Sequence, residues 1–152
     1  GRPGASAVAV CSNSAQMGEP KDNPIVLKLL EHDEAGAKEL IGEQPGAVVY
    51  GLTKHALSRA VRRRANEWAE AGVRLNGIAP GMTPTALFEG SEKDPVLGKF
   101  VDRIPIPLGR KATPEEMAAL ILFLLSDTAA YVHGSILWAD GGTDAVLRPD
   151  GF

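Results

Sequence analysis

Tyr50 and Lys54 stand four residues apart at the start of a helical pattern, Tyr50–Ala71, so their side chains share one helix face. An ammonium beside a phenol favours the phenolate. A phenol tuned in this way can give a proton to a carbonyl oxygen, or take one from an alcohol, near neutral pH. The pair alone is unspecific, because the same spacing arises as an ordinary surface contact. Its context sharpens it. The apolar run Ala5–Cys11 ends at Ser12, a hydroxyl at the carboxyl edge of a strand, and a second run, Val73–Ala79, closes at Pro80-Gly81 and leads into Met82-Thr83-Pro84-Thr85. In open parallel sheets ligands bind beyond the carboxyl ends of the strands. All three elements therefore point to one crevice.

The first run, Ala5–Cys11, is short and rich in small and β-branched residues, as expected of a buried parallel strand. Asn23-Pro24 is a cap followed by proline at the first helical position. Ile25, Leu29, Leu30, Ala37, Leu40 and Ile41 then recur at helical spacing up to Gly42, which predicts one helix in an inserted excursion over about 16–45. In the next helix Leu57, Val61, Ala65 and Trp68 form the predicted apolar stripe. Arg62, Arg63 and Arg64 read as a solvated face, and Gly72 ends the helix. Met82–Leu108 is irregular and proline-rich, a connection long enough to be a functional loop; short helical turns are expected near 84–89 and 95–104. Thr113-Pro114-Glu115-Glu116 predicts a capping box. Ser135–Ala139 is a third strand ending in Asp140-Gly141-Gly142, followed by an irregular tail, Thr143–Phe152. Strands alternating with helices imply a parallel sheet with right-handed crossovers. Three strands make half of a doubly wound sheet and leave one flank unpaired.

Composition narrows the function classes. The 152 residues hold 16 Lys+Arg against 19 Asp+Glu, a formal charge of −3, so no general attraction to nucleic acid is expected. Hydrophobic residues at 44% and charged residues at 23% suit one globular domain. The longest apolar run, Met117–Leu125, is half of the roughly 18 residues a membrane span needs. A single cysteine, Cys11, excludes an internal disulfide and reads as buried and inert. His32, His55 and His133 show no metal-site spacing. His55 reads as surface, His133 as a turn residue, and Trp68 and Trp138 as packing. Ser12, His133 and Asp140 could be drawn as a hydrolase triad, but the sequence has no G-x-S-x-G elbow. The start, Gly1-Arg2-Pro3-Gly4, has neither an apolar signal region nor an initiator methionine. The expectation is a cytoplasmic protein of which this chain is a trimmed form or a piece.

The ordered set Tyr50-x-x-x-Lys54, Asn76…Pro80-Gly81 with Thr85, Pro107-Leu108-Gly109-Arg110 with Pro114-Glu115-Glu116, and Asp140-Gly141-Gly142 resembles the short-chain dehydrogenase/reductase family. Tyr50–Ala71, Ala130–Gly134 and Asp144–Pro149 are most similar to its bacterial 3α-hydroxysteroid dehydrogenase/carbonyl reductase branch. The resemblance covers about the last hundred residues and implies a Rossmann-like α/β fold and an NAD(P)-dependent enzyme. It implies Tyr50 as acid/base, Lys54 as the residue that tunes it and holds the nicotinamide ribose, and Ser12 as hydrogen-bond partner of the substrate oxygen. Ser14 is the rival for that last role; Ser12 is favoured because it directly follows the strand. Pro80, Gly81, Met82, Thr83 and Thr85 would line the nicotinamide. A homo-oligomer, dimer or tetramer, is implied as well.

Two departures from the family pattern matter. Relatives commonly place the serine about a dozen residues before the tyrosine, whereas Ser12 and Tyr50 are 38 positions apart; the excursion fills the gap. Such an insertion lies near the substrate mouth or on a face used for assembly, and predicts an altered subunit interface. The glycine-rich pyrophosphate turn of the family's front half, and the residue that chooses NAD or NADP, are not in this sequence. The reading is therefore an oxidoreductase of secondary alcohols and ketones, with Leu87, Phe88, Leu97, Phe100 and Val101 offering an apolar surface to a hydroxysteroid or similar bulky substrate. Its rivals are a ketoacyl or sugar-alcohol reductase, and a non-catalytic half-domain that acts only by binding a missing N-terminal half or a second copy.

Overall fold

A computed structural model of the chain describes residues 4–17, 22–85 and 103–151. The expected half-sheet is present, as three parallel strands with flanking helices. Strand β2 (Val73–Pro80) lies between β1 (Ala5–Val10) and β3 (Ile136–Ala139). The β1 register runs from Ala5 opposite Val73 to Val10 opposite Ile78; β3 pairs Ile136 with Gly77 and Ala139 with Pro80. Residues 75–79 of β2 are all buried, which is why that strand reads as a continuous apolar run rather than an alternating one. Among the described residues nothing pairs with the outer edge of β1, and Val10 there is 50% exposed.

The helices depart from the sequence reading in four places. The single helix expected from Ile25 to Ile41 is two, α1 (Pro24–Leu30) and α2 (Glu34–Ile41). His32 takes φ 61° between them. Asp33 then accepts from Gly36 N at 2.8 Å through one carboxylate oxygen and from Lys28 Nζ at 2.8 Å through the other. A short acidic side chain that bonds the local backbone competes with helix continuation in this way. Next, α3 (Gly46–Arg63) begins four residues before Tyr50 and stops at Arg64, after which α4 (Ala65–Glu70) follows. The predicted stripe is thereby split. Ala65 and Trp68 belong to α4, and the buried residues of α3 are Leu52, His55, Ala56, Ser58 and Val61. Leu52 and Ala56 are turned inward by the excursion itself, because Ile25, Val26 and Ala37 form one buried cluster with them. His55 is therefore not a surface residue; it is 6% exposed. Finally, the tail is not irregular throughout. Residues Thr143–Leu147 form α6, started by the Asp140 carboxylate, which accepts from Gly142 N at 3.0 Å and Asp144 N at 2.7 Å. The turns expected near 84–89 and 95–104 lie almost wholly outside the described residues.

Helix α5 (Pro114–Leu125) starts as expected. Thr113 Oγ1 accepts from Glu116 N at 3.2 Å, and Glu116 Oε2 accepts from Thr113 N at 2.8 Å. The Arg110 guanidinium and that backbone N–H hold the Glu116 carboxyl down to about 2. The far end of α5 is tied to β2. Arg74 donates to Leu124 O and Ser126 O, each at 2.9 Å, and to Val132 O at 3.3 Å, placing a cation where helix carbonyls lack partners. Fully buried Asn76 donates to Val132 O at 2.8 Å and accepts from Ser135 N at 3.1 Å. His133 completes the seam by accepting from Leu75 N at 3.0 Å and donating to Ala65 O at 2.8 Å. Replacing Arg74 by Met keeps much of the stem volume and strands these carbonyls. Urea unfolding is expected to show a loss of roughly 1–3 kcal/mol; an unchanged midpoint would mean that water takes over the bonds.

Candidate active site

Chain direction sets the site. In a parallel sheet all carboxyl ends lie on one edge, so the segments leaving β1 and β2 share it. Beyond Val10, Cys11 N still donates to Ile78 O at 2.7 Å, and the chain then enters a 3₁₀ turn, Asn13–Gln16, capped by Ser12. Helix α3 lies against that turn and presents two polar residues to the edge. Lys54 Nζ donates to Val10 O at 2.8 Å and sits 5.6 Å from the centroid of the Tyr50 ring. Tyr50 is 41% exposed, so its ring can be reached from solvent. One ammonium thus joins the strand end to the phenol, and keeps two further N–H donors.

Ser12 and Ser14 are not equivalent. Ser12 is buried, and its Oγ accepts from Ser14 N at 3.2 Å and from Ser14 Oγ at 2.9 Å. The Ser14 hydroxyl is spent on its neighbour, while Ser12, accepting twice, retains its own O–H to donate. Cys11 is 2% exposed, and burial pushes its thiol up from the ordinary value.

On the β2 side, Pro80 ends the strand and Gly81 N donates to Ala139 O at 2.9 Å. A side chain at Gly81 has no room, since a Cβ there would lie 2.6 Å from Asp140 Cα. Met82 O accepts from Ala112 N at 2.9 Å, and Thr83 Oγ1 donates to Gly81 O at 3.3 Å. Thr85 is exposed on the same outgoing segment. These residues follow β2 out of the edge that also carries Ser12, Tyr50 and Lys54. A cavity of about 650 Å³ opens on the β3 side of Gly81 and Met82, with Pro107, Leu120 and Trp138 among its walls. Ser12, Tyr50 and Lys54 do not line it, so that opening is not the space above the phenol. Leu87, Phe88, Leu97, Phe100 and Val101 lie outside the described residues.

The described residues contain no cluster of metal-binding side chains, and none of their helices is long and apolar enough to cross a membrane. The donor set at the edge, an ammonium with N–H groups to spare beside an accessible phenol, suits the ribose and nicotinamide end of a dinucleotide.

Sequence reasoning missed His55, whose Nδ1 lies 2.7 Å from Ala15 O. Its place beside Lys54 was visible, but helical periodicity put it on the wrong face, because the partner turn is distant in sequence. Asp140 was noted for its turn, but not for the two backbone N–H groups its carboxylate holds.

Comparisons with known proteins show what the chain as a whole is similar to. A family profile described as enoyl-(acyl carrier protein) reductase matches residues 35–144. The 3-alpha-hydroxysteroid dehydrogenase/carbonyl reductase of Comamonas testosteroni is 48% identical over 133 residues, 86% of this chain and 52% of that protein. The 2-dehydro-3-deoxy-D-gluconate 5-dehydrogenase of Pseudoalteromonas atlantica is 36% identical, over 69% of this chain and 47% of its own length. Among solved structures, the 3-alpha-hydroxysteroid dehydrogenase of Pseudomonas sp. B-0831, complexed with NADH, superposes with a TM-score of 0.93 at 40% identity, over 97% of this chain and 58% of that one. The chain spans about half the length of the curated relatives it matches.

Proposed function

We propose that this chain, which belongs to the short-chain dehydrogenase/reductase family, is the catalytic C-terminal half of an NAD(P)-dependent oxidoreductase that interconverts a secondary alcohol and a ketone. The observation that carries the reading is the Lys54 ammonium held between Val10 O and the exposed Tyr50 ring at the carboxyl edge of a parallel sheet. A bound nicotinamide dinucleotide supplies or takes the hydride. Tyr50 gives the proton to the substrate oxygen in reduction and receives it in oxidation. Ser12 donates its O–H to the same oxygen. Lys54 places positive charge beside the ring and offers its remaining N–H groups to the ribose hydroxyls. Pro80, Gly81, Met82, Thr83 and Thr85 flank the nicotinamide, with Gly81 letting this segment pass against Asp140, where a side chain would collide.

The hydroxysteroid and carbonyl substrates named for the Comamonas and Pseudomonas relatives make a bulky hydrophobic ketone or alcohol the first substrate class. Sugar-acid oxidation, as named for the Pseudoalteromonas relative, and ketoacyl reduction are the near alternatives. Helices α1 and α2, packed on the Leu52–Ala56 side of α3, support a subunit interface that differs from one using that face bare. The unpaired edge of β1 with half-exposed Val10 favours one second reading, an association half whose site residues are idle.

The full-length protein assayed with NAD(H) and NADP(H) against steroid, sugar-acid and ketoacyl substrates separates these readings. Nucleotide binding with turnover of the hydroxysteroid members is expected. Ser12→Ala is expected to lower kcat by ~10²-fold or more, as for loss of an oxyanion-type donor, and Ser14→Ala by far less. Nucleotide binding without turnover of any class would leave only the association reading.

A further inference from the structure

Helix α3 grips the segment 10–15 at several successive points. Lys54 holds Val10 O. Gly51 lets the turn approach so closely that a Cβ there would lie 3.2 Å from Ser14 O. His55 Nδ1 lies 2.7 Å from Ala15 O. Ser12 falls between these anchors and is tied to two of them from within: Ala15 N donates to Ser12 O at 3.1 Å, and Ser14 donates to Ser12 Oγ through its N–H and its hydroxyl.

The Ala15 anchor is the decisive one. Ala15 is 0% exposed, so water does not reach its carbonyl, and an unpaired buried carbonyl is costly. A carbonyl only accepts, so Nδ1 carries the hydrogen and Nε2 is bare. That Nε2 is buried and has no partner among the described residues. Burial pushes the imidazole below its ordinary value; the Ala15 hydrogen bond opposes this, and the Arg59 and Arg148 charges add to it. The ring makes a single hydrogen bond, from Nδ1, directed at the turn. An orphaned buried nitrogen beside a site residue asks for an explanation: an apolar side chain would fill the volume without the orphan but would leave the Ala15 carbonyl unpaired, so the imidazole is kept for its one bond to the turn.

We propose that His55 is a positioning residue, a clamp that fixes the turn bearing Ser12 to the helix bearing Tyr50 and Lys54, so that serine hydroxyl and phenol meet one substrate oxygen. The proposal rests on the reading of Ser12 and Tyr50 given above. Losing the clamp frees the turn to shift while Lys54 still holds the strand end. Displacement of a reacting group by about 1 Å can cost ~10²-fold in rate.

The test uses the full-length protein with saturating nucleotide. His55→Leu fills the space without a donor; His55→Asn places an amide N–H where Nδ1 stood. The expected result is a kcat lowered by ~10²-fold in the Leu variant, with NADH affinity kept, and most of that loss restored in the Asn variant. A Leu variant that turns over like wild type, or an Asn variant as slow as the Leu one, overturns the proposal. Nitrogen-15 NMR of the wild-type histidines decides it independently of activity and of whether the Leu variant folds. A neutral ring protonated at Nδ1 across neutral pH supports the clamp, and one protonated at Nε2 overturns it. Should the wild-type protein turn over none of the substrate classes, the oxidoreductase reading fails, and the tautomer measurement alone judges the clamp.

Discussion

Tyr50→Phe in the full-length protein is expected to lower kcat by at least ~10³-fold, toward the upper range for loss of a general acid–base group. The change removes one oxygen and nothing else. The ring stays, so the Lys54 contact with its face survives, and Lys54 keeps its bond to Val10 O. Tyr50 is 41% exposed, and its ring belongs to no buried cluster among the described residues, so the fold has little stake in the hydroxyl. Nucleotide affinity should therefore hold within a small factor, while the chemical step loses the phenolic proton that Tyr50 is proposed to carry. Single-turnover kinetics with the nucleotide preloaded reads the chemical step, and fluorescence titration reads the binding. A variant that keeps a tenth of wild-type turnover would take the proton role away from Tyr50 and pass it to a water or to Ser12.

The parts of this molecule that were legible in the sequence are those fixed by local chemistry. The capping box at Thr113–Glu116 and the Asn23-Pro24 helix start need only neighbours within a turn, and both occur where the residues announce them. The three strands and their parallel order follow from short apolar runs separated by helical spacing. What was misread depends on partners far along the chain. His55 is buried because a turn some 40 positions earlier packs on it. The stripe on α3 is rotated because Ile25, Val26 and Ala37 claim Leu52 and Ala56. The break at His32 is intermediate: Asp33 was there to read, but its choice of capping over continuing the helix rests on Lys28 reaching its second oxygen. At the candidate site the residue types were visible, and Ser12 was favoured over Ser14 for its place directly after the strand, whereas the bonding inequality between them was not visible. That inequality is a matter of which hydroxyl donates to which, and only the geometry of the turn sets it.

Gly81→Ala carries the second large effect, and it acts through backbone rather than chemistry. Gly81 follows the last residue of β2, and its N–H still pairs with Ala139 O at 2.9 Å. A methyl group there would lie 2.6 Å from Asp140 Cα and 2.8 Å from Asp140 Cβ. The obstacle is a main chain, so no rotamer change relieves it. Asp140 cannot retreat freely either, because its carboxylate holds Gly142 N and Asp144 N and thereby starts α6. The strain must instead move Gly81 and Met82 away from β3, which breaks the bond to Ala139 and drags the segment proposed to flank the nicotinamide. Overpacking of this kind typically costs about 1–3 kcal/mol, a fall in melting temperature of roughly 2–12 °C for a chain of this size class. Dinucleotide affinity should fall by more than the stability loss alone explains, because the displaced residues are the ones placed against the ligand. Calorimetric melting with and without NADH separates the two terms: the stabilisation that NADH confers on the wild type should be largely absent in the variant. If the variant melts lower but gains the same NADH-dependent shift, Gly81 is a packing residue only, and the nicotinamide lies elsewhere along the edge.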